Sequence, residues 1–299
     1  MKRLKNLFVC LSLVIAVVSC NKGEEVWVDD SPIIQFKDPN FLKAFLRDRD
    51  AYDKNGDGQI SEKEASIIKY LSVTYGGIHS MDEIKYFTAV EQLRCTGNHI
   101  DSLNLNQNPL ITELYCDTNL IVSLDLSGNK ALTKINSNCN RLTMLDVTMC
   151  TEVTSLDCGS NQLSSVNLIN NARLTDLNCS NNQFTSLDVS NNTALTSLNC
   201  NSNKLTSVDL SSNARLTGLD CSNNQFTSLD VSNNTALTSL NCNSNKLTTL
   251  DLRNNKKLTS LRCSNNQLTK IILPESHKLG TNFINDIKKE YGEIIEYVK

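Results

Sequence analysis

The eleven residues LTSLNCNSNKL, 195–205, decide the fold. They place leucine first and fourth, cysteine sixth, asparagine ninth and an apolar residue eleventh. The same spelling returns every 21 residues, opening at Val90, Ile111, Leu132, Val153, Leu174, Leu195, Leu216, Leu237 and Leu258. The ninth position is asparagine in every copy, from Asn98 to Asn266, and the sixth is cysteine except where Ser137 stands. Positions 11, 14, 16 and 19 repeat the pattern of 1, 4, 6 and 9, as in Leu205, Val208, Leu210 and Asn213. Each repeat is therefore two half-turns, of ten and eleven residues. Residues 179–206 and 221–248 are identical, the trace of a 42-residue duplication.

One half-turn cannot bury its Leu/Cys face alone, so the turns must stack, with neighbouring strands ~4.8 Å apart and the nine rungs rising on the order of 40 Å. The period and spelling resemble those of nested bacterial leucine-rich repeats, LxxLxCxxNxLxxLDLxxNxx, over residues 90–273. The resemblance implies a mostly β solenoid with two parallel β-sheets. Both half-turns read as strand, so the expected rod is flat and nearly straight. Corner asparagines are expected to bond turn backbone and stack rung on rung.

Working outward, residues 1–19 read as an export signal. Lys2, Arg3 and Lys5 precede an apolar run, 7–18, too short for a bilayer span of ~20 residues. Val17-Val18-Ser19-Cys20 resembles a bacterial lipobox, which implies lipidation at Cys20; the alternative is an ordinary signal with an incidental cysteine. Asn21-Lys22-Gly23-Glu24-Glu25 resembles the surface-export signal of some Gram-negative lipoproteins. The implied location is the outer membrane or cell surface, with membrane contact through lipidated Cys20 only. The chain carries −3, and residues 20–299, without those three cations, −6. No basic run invites nucleic acid.

A tether, 20–32, leads to an N-terminal cap, 33–89, that an open solenoid end requires. Residues 26–28 and 33–36 read as short strands. Asp38-Pro39 opens a helix with Phe41, Leu42, Phe45 and Leu46 on one face. Residues 53–64 then place oxygen donors at the spacing of a calcium loop: Asp53, Asn55 and Asp57 at 1, 3 and 5, the Gln59 carbonyl at 7, Ser61 at 9 and Glu64 at 12, with Gly58 at the sharp turn. The loop resembles an EF-hand or dockerin loop, implying a structural Ca2+. The plainer reading is an acidic turn that caps the helix expected over 62–71. Ile60, at position 8, lacks a second loop to pair with and is expected to pack on the first rung. Residues 274–299 read as a C-terminal cap, a helix over 281–290 and a strand over 293–298.

Twelve cysteines in an exported chain suggest disulfides, yet the position-6 column points inward in register and reads as small buried hydrophobes. Cys139 and Cys150 lie off that column, and a bridge between them stays open. Aspartates at position 15 (Asp125, Asp146, Asp188, Asp209, Asp230, Asp251) form a second column whose carboxylates either bond turn donors or collect cations. Outward positions 3 and 5 face one sheet. They are bland in the middle and richer at the ends, with Arg94, Glu113, Tyr115 and Lys134 at one end and Arg253, Lys256, Lys257 and Arg262 at the other. Arg94 and Tyr115 are the candidate hot spot, since Arg and Tyr dominate binding sites. Only three histidines occur, and none is placed beside a nucleophile, so an enzyme is nearly excluded. The function implied is binding of a macromolecular partner, protein or glycan, at the cell envelope; the alternative is an adhesive spacer rod without a specific face.

Overall fold

The computed structural model describes residues 27–48 and 52–298. The signal segment, Cys20, the export tail and Val26 lie outside them. Ten three-residue strands stack into one parallel front sheet, from Tyr70–Ser72 and Gln92–Arg94 through to Ser260–Arg262. The register steps by one repeat at each interface: Leu198 pairs Leu219, Leu219 pairs Leu240, and Leu240 pairs Leu261. Each inward leucine is essentially buried and contributes about 2 kcal/mol, which is why strands this short suffice.

The first strand extends the array into the segment read as cap. Ile68, Leu71, Val73, Gly76 and Ile78 occupy template positions 1, 4, 6, 9 and 11, but the step to Val90 is 22 residues and glycine replaces the corner asparagine. The next rung repairs that loss, since Asn98 accepts from the Gly76 and Ile78 N–H groups and donates to the Val73 carbonyl. The helix expected over 62–71 accordingly stops at Ser66, because Leu71 belongs to the sheet.

The second sheet is not continuous. On the back, Ser102–Asn104 pairs with Ser123–Asp125, and Thr249–Asp251 with Lys270–Pro274, with a single bridge between Asp146 and Asn167. Position 15 accounts for much of this. The pairs that form set aspartate against asparagine or isoleucine (Asn104–Asp125, Asp146–Asn167, Asp251–Ile272), although Asn167 and Asp188 stay unpaired with each other. No two consecutive aspartates are bridged. Like charges directly opposite one another are destabilising, and a pair this close repels by ~1 kcal/mol in water. Each carboxylate instead accepts the N–H two residues on, as Asp188 does from Ser190 and Asp209 from Ser211, so the turn-donor reading of this column holds.

Both ends are covered. Helix α1 (Pro39–Phe45) is capped by Asp38 and turns Phe41, Ala44 and Phe45 inward. There Phe41 and Phe45 meet Phe87 at 5.9 and 5.4 Å between ring centroids. Helix α2 (Glu62–Ser66) opens on a Ser61/Glu64 capping box. At the far end α3 (Thr281–Tyr291) lies over the last rung: the Tyr291 hydroxyl donates to the Cys263 carbonyl and accepts from the Asn266 N–H. The closing strand is Ile295–Val298, parallel to Lys270–Pro274.

Inside, Cys95, Cys116, Cys158, Cys179, Cys200, Cys221, Cys242 and Cys263 are buried, free thiols. Burial pushes Cys95 and Cys200 up to about 12, so they stay protonated and inert. Cys139 and Cys150 are also free; Cys139 is exposed in a left-handed turn, while Cys150 is buried. Two asparagine columns stitch the corners. Asn119 donates to the Cys95, Cys116 and Asp117 carbonyls and accepts from the Ile100 N–H, binding its own rung and the one before. The back column is plainer: Asn192 donates to the Leu168 and Asn171 carbonyls. Cys150 stands where this second column needs an asparagine.

Candidate functional site

The polar face of the front sheet is built from positions 3, 5 and 7, whose side chains point away from the leucines. In the middle rungs these are short amides, hydroxyls and carboxylates bonded to one another. Asp157 accepts from Asn138 Nδ2, Asn178 Nδ2 and the Gly159 N–H at 2.9, 2.9 and 3.0 Å. A Cβ at Gly159 would come within 2.7 Å of Asn138 Nδ2, so a side chain there would displace that amide.

At the N-terminal end the side chains are larger, and all four sequence-predicted binding residues come together around one carboxylate. Glu113 accepts from Gln92 and, at 2.9 Å, from the Tyr115 hydroxyl, and Lys134 Nζ lies 3.7 Å away. Burial pulls the Glu113 carboxyl up, but bonds from Tyr115 and Gln92 and the charges of Lys134 and Arg94 outweigh it and hold it below its ordinary value. Burial and donation to Glu113 together raise Tyr115. The Arg94 guanidinium lies 4.2 Å from the Tyr115 ring centroid, a cation–π stack. Its Nε is buried without a hydrogen-bond partner, and among the described residues the guanidinium has no carboxylate in salt-bridge contact. The cluster is thus a pre-oriented cation on an aromatic shelf. Of the basic residues expected at the other end of the face, Arg262 stands on the front sheet, whereas Arg253 lies on the back, paired with Asp251 at 2.9 Å.

The acidic loop of the cap, 53–64, turns at two glycines with left-handed backbone. Gly56 and Gly58 take φ of 76° and 81°, which favours glycine. Ile60 is buried, and its carbonyl accepts from Ile34 N–H at 2.8 Å beside an antiparallel bridge between Ile33 and Ser61. The segment before α1 therefore supplies the backbone partner that a second loop would give, while the Ile60 side chain belongs to the same core as Ile68, Leu71 and Val90 of the first rungs. The ligand oxygens are turned inward on the loop itself. Asp53 accepts from the Gly56, Asp57 and Gly58 N–H groups, and Glu64 from those of Lys54, Asn55 and Ser61. Asp57 accepts from Asn55 Nδ2 and the Gln59 N–H. Among the described residues, no three His, Cys, Asp or Glu side chains converge as a metal group.

Two surface features escaped the sequence reading. Val122, Met144, Met149 and Ile169 are exposed, and Met144 lines a hollow of about 650 Å3 on the back where the second sheet parts. Tyr75, in the unrecognised first rung, is also exposed. The signal for the first was present: position 13 is serine in most copies and methionine at 144.

No protein-family model and no curated protein matches this chain. Among solved structures, the functional domain of InlJ from Listeria monocytogenes, described as including a cysteine ladder, is 30% identical with a TM-score of 0.56. The match covers 74% of this chain and 61% of that one, so the present chain spans about three-fifths of that domain. Internalin C2 from Listeria monocytogenes is 22% identical, with a TM-score of 0.58 over 80% of this chain and 94% of that one. FLRT2, through its leucine-rich repeats in an octameric complex with Latrophilin 3 and Unc5D, is 18% identical, with a TM-score of 0.55 over 77% and 82%. At these last two identities the likeness is one of fold. The chain is a leucine-rich-repeat solenoid, with a buried cysteine column and internalins among its structural neighbours.

Proposed function

We propose that this chain is a lipid-anchored interaction module of a Gram-negative cell envelope that binds a protein partner through the N-terminal end of its front face. Arg94, stacked on Tyr115 and lacking a carboxylate partner, is the observation that carries this reading. Its donors are oriented before a partner arrives, so little side-chain entropy remains to be lost on binding. With Lys134 and Glu113 beside it the cluster carries net positive charge, which suits an acidic group on the partner. FLRT2, a structural neighbour, works within a protein assembly. Cys20 would carry the anchor. Asp53, Asn55, Asp57, the Gln59 carbonyl, Ser61 and Glu64 would hold a structural Ca2+, whose charge would offset three carboxylates on one short loop.

The near-identical central rungs favour a spacer role for the middle of the rod alongside a specific end. The test is capture from envelope extracts by the wild-type chain, Arg94→Ala, Tyr115→Ala and the back-face control Met144→Ser. Loss of about tenfold in apparent affinity for the first two, at ~1.4 kcal/mol each, with the control unchanged, is the expected result. Capture indifferent to both front-face changes would leave only the spacer.

A further inference from the structure

At the corner that follows each front strand, the eighth residue of the rung adopts a left-handed backbone. Thr118, Cys139, Ser160, Asn181, Ser202, Asn223, Ser244 and Asn265 all do so, with φ between 50° and 57°. Most are small or amide-bearing side chains, asparagine being the one that tolerates this conformation best after glycine, and β-branched Thr118 is the exception. The first rung breaks the rule. Tyr75 holds φ of 51° with a bulky ring, a backbone that such a residue adopts only at a cost.

The rung beneath departs from the column in a complementary way. Gly97 is the glycine there, at φ 71°, and a Cβ at that position would run into the Tyr75 ring. The ring is thus seated over a gap left by the next rung, and the residue is still 70% exposed. Two neighbouring deviations from a strict repeat combine to make one open aromatic surface. A ring placed for core packing would be buried, and a plain turn would use asparagine, as three other rungs do.

The surroundings are polar. Tyr75 N–H donates to the Thr96 carbonyl at 2.9 Å. Thr96 Oγ1 donates to Asp117 Oδ1 at 2.8 Å. Arg47 Nη1 donates to the Thr74 carbonyl at 3.4 Å. An exposed ring on a turn whose backbone is bonded to Thr96 and Arg47, with Asp117 bonded in turn to Thr96, suits a sugar better than a peptide anchor. The C–H bonds on one face of a pyranose meet the electron-rich face of the ring, while its hydroxyls find both donors and acceptors. A protein hot spot, in contrast, calls for a desolvated pocket.

We propose that Tyr75, seated on Gly97, is a stacking platform for a pyranose unit of a polysaccharide, with Thr96, Asp117 and Arg47 as its hydrogen-bonding partners. This site adjoins the Arg94 cluster, Thr96 and Asp117 standing two residues beyond Arg94 and Tyr115, but the two readings rest on different side chains and different tests.

The experiment is affinity electrophoresis of the mature chain through gels containing laminarin, mannan, xylan or mucin. The variants are Tyr75→Asn, Tyr75→Phe, Gly97→Ser and Arg94→Ala. Asparagine is the residue that the same backbone carries at 181, 223 and 265, so Tyr75→Asn keeps the fold, which a thermal melt checks. At least one polysaccharide should retard the wild type. Tyr75→Asn should weaken that retention about tenfold, Gly97→Ser should weaken it by displacing the ring, and Tyr75→Phe and Arg94→Ala should keep it. Retardation by none of the four polysaccharides, or retardation that survives Tyr75→Asn in a folded protein, overturns the proposal. Loss of protein capture in Tyr75→Asn without any polysaccharide binding also overturns it, and assigns the ring to a protein contact.

Discussion

Replacing Asn203 by alanine should destabilise the rod far more than replacing Asn192, although both are buried corner asparagines of adjacent half-turns. Asn203 accepts from the Phe184 N–H at 3.0 Å and shares its amide between the Cys179, Cys200 and Asn201 carbonyls at 3.1, 3.1 and 3.2 Å. The carbonyls survive its loss, since each keeps a second donor: Asn182, Asn224 and the Asn181 N–H. The Phe184 N–H does not, and is left unpaired in a buried corner. A stranded donor costs ~1–3 kcal/mol and the two amide hydrogens, shared among three carbonyls, a net ~1 kcal/mol each, giving about 3–5 kcal/mol in all.

Asn192 donates to the Leu168 and Asn171 carbonyls, which also hold the Asn171 and Leu174 N–H groups. Its own Oδ1 is buried and unpaired. Alanine there strands nothing and removes an unsatisfied acceptor, so the cost should be ~1–2 kcal/mol. With a urea slope of about 3 kcal/mol per M, the unfolding midpoint should fall by about 1 M or more for Asn203→Ala and by about half that or less for Asn192→Ala. Circular dichroism reads both. Equal shifts, or the reverse order, would show that the two columns do not differ in the way their bonds imply.

Four further outcomes are expected. Cys150→Asn should restore the interrupted back column and raise stability by ~1 kcal/mol, read as a higher urea midpoint. In a chain of residues 21–299, a thiol reagent at pH 8 should label Cys139 quickly and the remaining thiols only on unfolding, since burial holds Cys95 and Cys200 at about 12; labelling of several native thiols would contradict the inward column. Calorimetric titration should show about one Ca2+ equivalent with a Kd of ~10⁻⁴–10⁻³ M and a raised melting temperature, both absent in Glu64→Gln; an absence of heat in the wild type reduces the loop to a helix cap. Finally, the bonds from Ser190, Ser211 and Ser232 hold Asp188, Asp209 and Asp230 below their ordinary value. A depressed folded-state value stabilises above the unfolded one and is lost as pH falls through the folded one, so melting temperature should drop on acidification below about pH 4. Asp209→Asn keeps an acceptor for the turn, removes the repulsion, and should flatten that acid limb.

Much of the architecture was legible because a repeat writes each contact nine times. Leucine at positions 1 and 4, cysteine at 6 and asparagine at 9 each answer one question, of core or of corner, and the stacked front sheet follows. The four residues around Glu113 were legible as well, since large side chains stand out in columns of serine and asparagine. What escaped notice depends on differences between neighbouring rungs. The rung at Ile68 was hidden by one extra residue and a glycine at its corner. Much of the break in the back sheet follows from which position-15 residues face each other, a pairwise charge effect that a consensus averages away. Tyr75 and Gly97 carry meaning only as a stacked pair, and stacking at a 22-residue step is not visible in a 21-residue template.

The identical stretches 179–206 and 221–248 sit in the same register of the same sheet. Recombination between them would add or remove two whole rungs, 42 residues, and every interface left behind would be of a kind already present. The shaft could then lengthen or shorten by about 10 Å while the helical cap, the Arg94 cluster and the Tyr75 corner keep their places at the other end. Length in this molecule is a heritable variable uncoupled from recognition: a lineage can change how far the tip stands from the base without redesigning what the base holds.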